Sequence, residues 1–197
     1  MAGVYGRDET EPDMMVFSSE KRRGREAAER LYAACVRAAR EPALYRDYGV
    51  PDTLQGRFEM VALHLFPVLH RLMHRPGDDP ELARLVSESF VTDMDAAFRE
   101  MGVGDITVPK RMKTLYSSFA GRIGAYTKAL EEGGGGLEQA IARNVFPDRP
   151  EHPGALSLAL HLELALAALR GAELDDLRRG EPPFPAPAPR NRQEMIS

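Results

Sequence analysis

The sequence predicts an all-α, single-domain irregular bundle of about six or seven helices, and three observations carry that prediction. Apolar residues recur three and four apart through stretch after stretch of the chain. Proline and glycine fall between those stretches, where they end one helix and open the next. The one stretch that alternates with the period of a strand, Ala155–Leu169, contains no β-branched residue. At 197 residues the chain suits one domain with core enough to fold alone.

Taken in order, Met1–Phe17 is mixed polar and acidic, lacks a signal peptide's apolar core, and reads with Ser18 as a flexible leader over 1–18. Ser18 or Ser19 caps a helix over about Glu20–Arg40, whose inward stripe is Ala28, Leu31, Tyr32, Cys35, Val36 and Ala39. Pro42 ends it, and Ala43–Tyr48 supplies one further turn. Gly49-Val50-Pro51-Asp52-Thr53 is a turn, with Asp52 or Thr53 capping the next helix. That helix runs to about Arg75 and is apolar over most of its circumference, which places it at the centre of the bundle. Pro67 in its interior removes a hydrogen bond and predicts a kink near Leu63–His64 or a break into two helices.

Pro80 opens a helix over about Glu81–Met101, and after a glycine-punctuated turn Pro109 opens another to Glu132. Gly133–Gly136 is a flexible break, and Leu137–Phe146 a short helix closed by Pro147. For Ala155–Leu169 helix propensity decides against the alternation, because leucine and alanine are strong helix formers. A helix apolar nearly all round is packed on two sides or against a partner, so these leucines either close the core or form a wall for a client. The helical domain is expected over 19–178, with a proline-rich, disordered tail over 179–197.

Hydrophobic residues make up 43% and charged residues 28%, ordinary values for a soluble globular protein. A net charge of -4 argues against DNA as a partner. The single cysteine, Cys35, excludes an internal disulfide and lies on an apolar stripe, where a buried, inert thiol is expected. The most hydrophobic stretch is too short to span a bilayer comfortably and carries His161 and Glu163, so a cytoplasmic chain, peripheral at the inner membrane, is expected.

The most specified stretch is Phe90–Lys113. Asp93 and Asp95 invite comparison with metal-binding acids, but residues two apart on a helix diverge by ~200° and do not grip one ion. Asp95 and Arg99 are a natural pair one turn apart, and Asp93 or Asp95 is expected to reach a partly buried Arg57. His64, His70 and His74 share one helix, a weak metal signal without the glutamate of the zinc-protease pattern. Lys110, Arg111 and Lys113 start a helix, with Arg122 extending the charge. A solvated surface and an anionic contact, such as ribosomal RNA or lipid, both remain open there. Nucleophile elbow, phosphate loop, dinucleotide fingerprint and cysteine-based zinc spacing are missing, so the expectation is no catalytic residue, no metal and no cofactor. The alternative reading is a metal- or lipid-dependent enzyme built on His64, His70 and His74.

Two motifs carry a resemblance. The segments L-Y-A-A-C-V-R-A-A-R-E-P-A-L-Y-R-D-Y-G-V-P-D-T-L-Q-G-R-F-E and D-M-D-A-A-F-R-E-M-G-V-G-D-I-T-V-P-K-R-M-K resemble the ubiquinol–cytochrome c chaperone family over roughly Leu31–Leu169. The resemblance implies an all-α, non-enzymatic chaperone for assembly of the cytochrome bc complex (complex III). Its implied partners are newly made cytochrome b or a related membrane client, a small helical partner subunit, and a ribosome or membrane surface. A helical interaction module regulating respiratory assembly is the blander alternative. The family-motif positions are Gly49, Pro51, Asp52, Gly56, Arg57, Asp93, Asp95, Arg99, Glu100, Gly102, Gly104, Asp105, Lys110, Arg111 and Lys113, implied to bind client or partner.

Overall fold

The computed structural model describes residues 11–74, 78–100 and 108–188, and among them every regular element is an α-helix. Eight helices follow one another there: α1 Glu11–Ala39, α2 Pro42–Arg46, α3 Leu54–Met73, α4 Pro80–Glu100, α5 Val108–Glu132, α6 Gly136–Val145, α7 Gly154–Arg170 and α8 Leu174–Arg179. No helix among the described residues is long and apolar enough to cross a membrane.

Helix α3 is the axis of the bundle. It packs against α1, α4, α5, α6 and α7, as its nearly continuous apolar circumference demands. Met60, Ala62, Leu65, Val68 and Leu72 have no exposed surface, and each large side chain so buried stabilises the fold by about 2 kcal/mol. Thr53 caps the helix by accepting from the Gly56 N–H at 3.1 Å. The chain stays helical through Pro67 in one element, so the break that proline made possible does not occur.

Three boundaries differ from expectation. Helix α1 begins at Glu11, inside the stretch read as leader. Helix α8 has no counterpart in the sequence reading. Its six residues, L-D-D-L-R-R, are too short for an apolar period, yet acids fill the first turn, arginines the last, and Gly180 follows in the left-handed conformation at φ 78°. A Cβ on Gly180 would lie 2.7 Å from Arg30 Cβ, so the glycine also permits α8 to lie on α1. The tail reading is corrected as well: residues 181–188 run without helix, and Phe184 packs on the core with its ring 5.5 Å from that of His64.

Helix α7 separates its leucines into two rows. Leu158, Leu162, Leu166 and Leu169 are buried against α3 and α6, while Leu156, Leu160 and Leu164 are half exposed. His161 lies on the buried side and meets His64 of α3, Nε2 to Nε2, at 3.3 Å. His64 Nδ1 is 2.8 Å from the Met60 carbonyl, which only accepts, so that nitrogen carries the proton and Nε2 receives the His161 N–H. Burial drives His64 down to about 4 and lowers His161 too.

As pH falls below ~6.5 the unfolded chain takes up these protons before the folded one does. Stability is therefore complete above ~6.5 and is lost progressively down to about 4, with His64 alone contributing about 3 kcal/mol. Urea unfolding midpoints at several pH values should show this loss, and His64→Gln should flatten the slope.

Candidate binding groove

A groove of about 800 Å³ is bounded by α1 to α5. The register of α1 on α4 explains it. Gly24 stands against Leu85, where a Cβ would meet Leu85 at 3.4 Å, and the Tyr32 hydroxyl donates to Asp93 at 2.6 Å. The two helices thus run parallel through these levels, with Tyr32 also edge-on to Phe90. Beyond Asp93 the direct contacts give way to open space, lined by Val36 and Arg40 on one side and Met94, Ala97 and Glu100 on the other. Leu54, Phe58 and Val61 of α3, with Leu115 and Ser118 of α5, are among the other described residues of the lining, which is largely apolar.

The floor rests on a buried ion pair. Glu59 has no exposed surface and is the sole acid in α3. Arg122 of α5 reaches it with both arms of the guanidinium, Nε to Oε2 at 2.6 Å and Nη2 to Oε1. Gln55 donates to the same carboxylate at 2.5 Å, Arg122 Nη1 to the Ser118 carbonyl at 2.9 Å, and the guanidinium lies 5.1 Å from the Phe58 ring centre. Burial opposes the charge on Arg122, and the Glu59 hydrogen bonds more than offset it, holding its pKa above the ordinary guanidinium value. Arg122 is therefore largely buried and committed to Glu59, and its expected place in a solvated basic cluster is corrected. A lone acid in a helix apolar over most of its circumference was the available signal, because such a carboxylate must find a cation.

The first family motif is mostly architecture. Gly49 adopts φ 72°, and a Cβ there would lie 2.7 Å from the His152 ring. At Gly56 a Cβ would lie 1.9 Å from the Pro51 carbonyl oxygen, so the entry turn of α3 closes only around glycine. Asp52 accepts from Arg57 Nε at 2.7 Å, which holds the Asp52 carboxyl below its ordinary value. Both side chains are well exposed, so this pair shapes the turn more than it stabilises it. The expected bridge from Arg57 to Asp93 or Asp95 is thus absent. Arg57 is taken by Asp52 within its own turn, Asp93 by Tyr32, and Asp95 by Arg99 at 2.8 Å.

Of the motif positions, Arg57, Asp93 and Glu100 line the groove, whereas Asp95 and Arg99 do not. Gly102, Gly104 and Asp105 lie outside the described residues, as do the side chains of Lys110 and Arg111; Lys113 is exposed. His64 is occupied with His161, while His70 and His74 stack at 4.6 Å, so the three histidines of α3 do not converge. Among the described residues no group of three or more His, Cys, Asp or Glu is placed to hold a metal ion. Cys35 is fully buried, and burial raises its thiol pKa.

A family model described as ubiquinol–cytochrome C chaperone matches residues 46–184, from the end of α2 to Phe184. Ubiquinol–cytochrome c reductase complex assembly factor 1 of mouse is 26% identical over 132 residues, 67% of this chain and 45% of that protein. The Xenopus laevis protein of that name is 24% identical over 132 residues, covering 67% of this chain and 66% of its own. The human one is 26% identical over 144 residues, 73% of this chain and 46% of its own. The chain therefore spans about half to two thirds of the length of these relatives. The crystal structure of the Cbp3 homolog from Brucella abortus matches with a TM-score of 0.77 at 34% identity, over 88% of this chain and 96% of that one.

Removing one member of the buried pair leaves the other charge without its partner, so Arg122→Ala or Glu59→Ala should cost about 3–5 kcal/mol. The double change Glu59→Met with Arg122→Leu should recover most of that loss in urea unfolding. Gly56→Ala should destabilise by about 2 kcal/mol or more through the Pro51 clash alone, whereas Asp52→Asn should stay within about 0.5 kcal/mol of the parent.

Proposed function

The chain belongs to the ubiquinol–cytochrome c chaperone family, and on that premise we propose that it is an assembly chaperone for the cytochrome bc complex that holds a helix of its client in the groove between α1 and α4. The client in this reading is newly made cytochrome b or another nascent membrane subunit. The carrying observation is the groove itself, an apolar trough of about 800 Å³ with charged residues at its margin. A membrane segment outside the bilayer exposes apolar side chains, and a trough of this kind covers them while rim charges fix the orientation.

The chemistry of the lining supports holding over turnover. Three of its charged residues, Arg122, Arg57 and Asp93, are already bound, to Glu59, Asp52 and the Tyr32 phenol, and only Arg40 and Glu100 stand apart. The exposed leucines of α7 supply a second apolar surface, but they form a single convex row on one helix and enclose nothing. The groove is therefore the preferred client site.

Ala97 lines the groove and is partly exposed, so Ala97→Trp should fill it without unfolding the bundle. Wild-type protein isolated from cells making cytochrome b should carry the client, and protein from cells not making it should not. Ala97→Trp should reduce recovery at least tenfold at unchanged helicity and melting temperature. Equal recovery with or without cytochrome b synthesis would remove cytochrome b as the client.

A further inference from the structure

The groove's margin carries two charges that the described residues leave unused. Arg57 is bound to Asp52 and Asp93 to Tyr32, but Arg40 and Glu100 have no ion-pair partner among the described residues. They belong to facing walls. The parallel register that puts Gly24 against Leu85 and Tyr32 against Asp93 brings Arg40, just past α1, level with the end of α4 where Glu100 stands. Both are exposed and both line the same cavity, yet no ion pair joins them. Opposite charges on flexible side chains across a closed seam would pair; here the apolar floor of Phe58, Met94 and Leu115 lies between the walls.

From this arrangement, and resting on the groove as the client site, we infer that the groove selects an amphipathic helix of mixed flanks: an apolar stripe downward, an acidic side chain on the flank facing Arg40, and a basic side chain on the flank facing Glu100. A helix basic on both flanks meets Arg40 with like charge, and one acidic on both flanks meets Glu100. Like charges suppress wrong partners at a rim more than opposite ones add affinity, so the device acts as a filter on flank chemistry. The chain's net charge of -4 would by itself favour the doubly basic helix, which makes the local and global electrostatic expectations different.

Three synthetic helices with one common apolar stripe and flanks that are acidic–acidic, basic–basic or acidic–basic test the filter, with affinity for the full chain read by fluorescence anisotropy. Wild type should bind the mixed helix about fivefold more tightly than either other one, a margin expected of two rim pairs and reduced by salt. Arg40→Glu should move the preference to the basic–basic helix, and Glu100→Arg to the acidic–acidic one. If all three compete with one another and Ala97→Trp abolishes them, but wild type and both variants share one ranking, the filter is wrong and the groove reading stands. If none binds, or Ala97→Trp leaves binding intact, the groove reading itself fails. Loss of peptide binding as protein concentration rises, with a dimer in sedimentation, would give the groove to a second copy of the chain and overturn the inference.

Discussion

A carboxylate with no exposed surface, set in the central and largely apolar helix α3, is the constraint from which the groove follows. Glu59 needs a cation, and α3 supplies none within reach, so Arg122 comes from α5 and ties that helix to α3 at one level. An unpaired carboxylate there would cost several kcal/mol, while the pair itself adds little net stability over a well-packed apolar substitute. We read it as a register device. It holds the later part of α5 close to α3, and the earlier part, with Thr114, Leu115 and Ser118, lines open space. Tyr32 and Asp93 do the corresponding work between α1 and α4. One buried pair and one phenol–carboxylate contact thus hold the sides of a space that the core does not fill.

The two family motifs divide between building that space and lining it. Gly49 and Gly56 are needed because no Cβ fits beside His152 or the Pro51 carbonyl, and Asp52 with Arg57 closes the same turn. These residues set the entry angle of α3, and with it the level at which Phe58, Glu59 and Val61 face outward or inward. From the second motif, Asp93 and Glu100 reach the groove. A motif can therefore mark a fold's joints as readily as its contacts, and the first segment does both, closing the turn into α3 through its glycines and lining the groove through Arg40, Arg57 and Phe58.

The elements legible in the sequence are those whose apolar pattern is long. Helix α3 was visible as a helix apolar over most of its circumference, and α7 as a helix despite its alternating leucines, because propensity outweighs a period imitated by Leu-Ala repeats. Helix α8 was not visible, since six residues hold too few turns for a period; its end chemistry was the only clue. Side-chain partners were harder than helices. Arg57 was paired with the wrong aspartate because an acid five residues away in a turn competes with any distant one, and the turn's shape is not written in a linear pattern. Phe184 escaped notice because a proline-rich composition suggests an unattached tail, whereas one aromatic ring was enough to seat it beside His64.

The account's central claim is that the client lies between α1 and α4 and not along α7. Cys35 has no exposed surface and is the chain's single cysteine, so an introduced thiol can be labelled alone. Maleimide labelling of Ala97→Cys and of Leu160→Cys, with and without a peptide of a cytochrome b membrane segment, measures the location directly. The account predicts that the peptide protects the thiol at 97 and leaves the one at 160 reactive. Protection at 160 with unchanged labelling at 97 would contradict it.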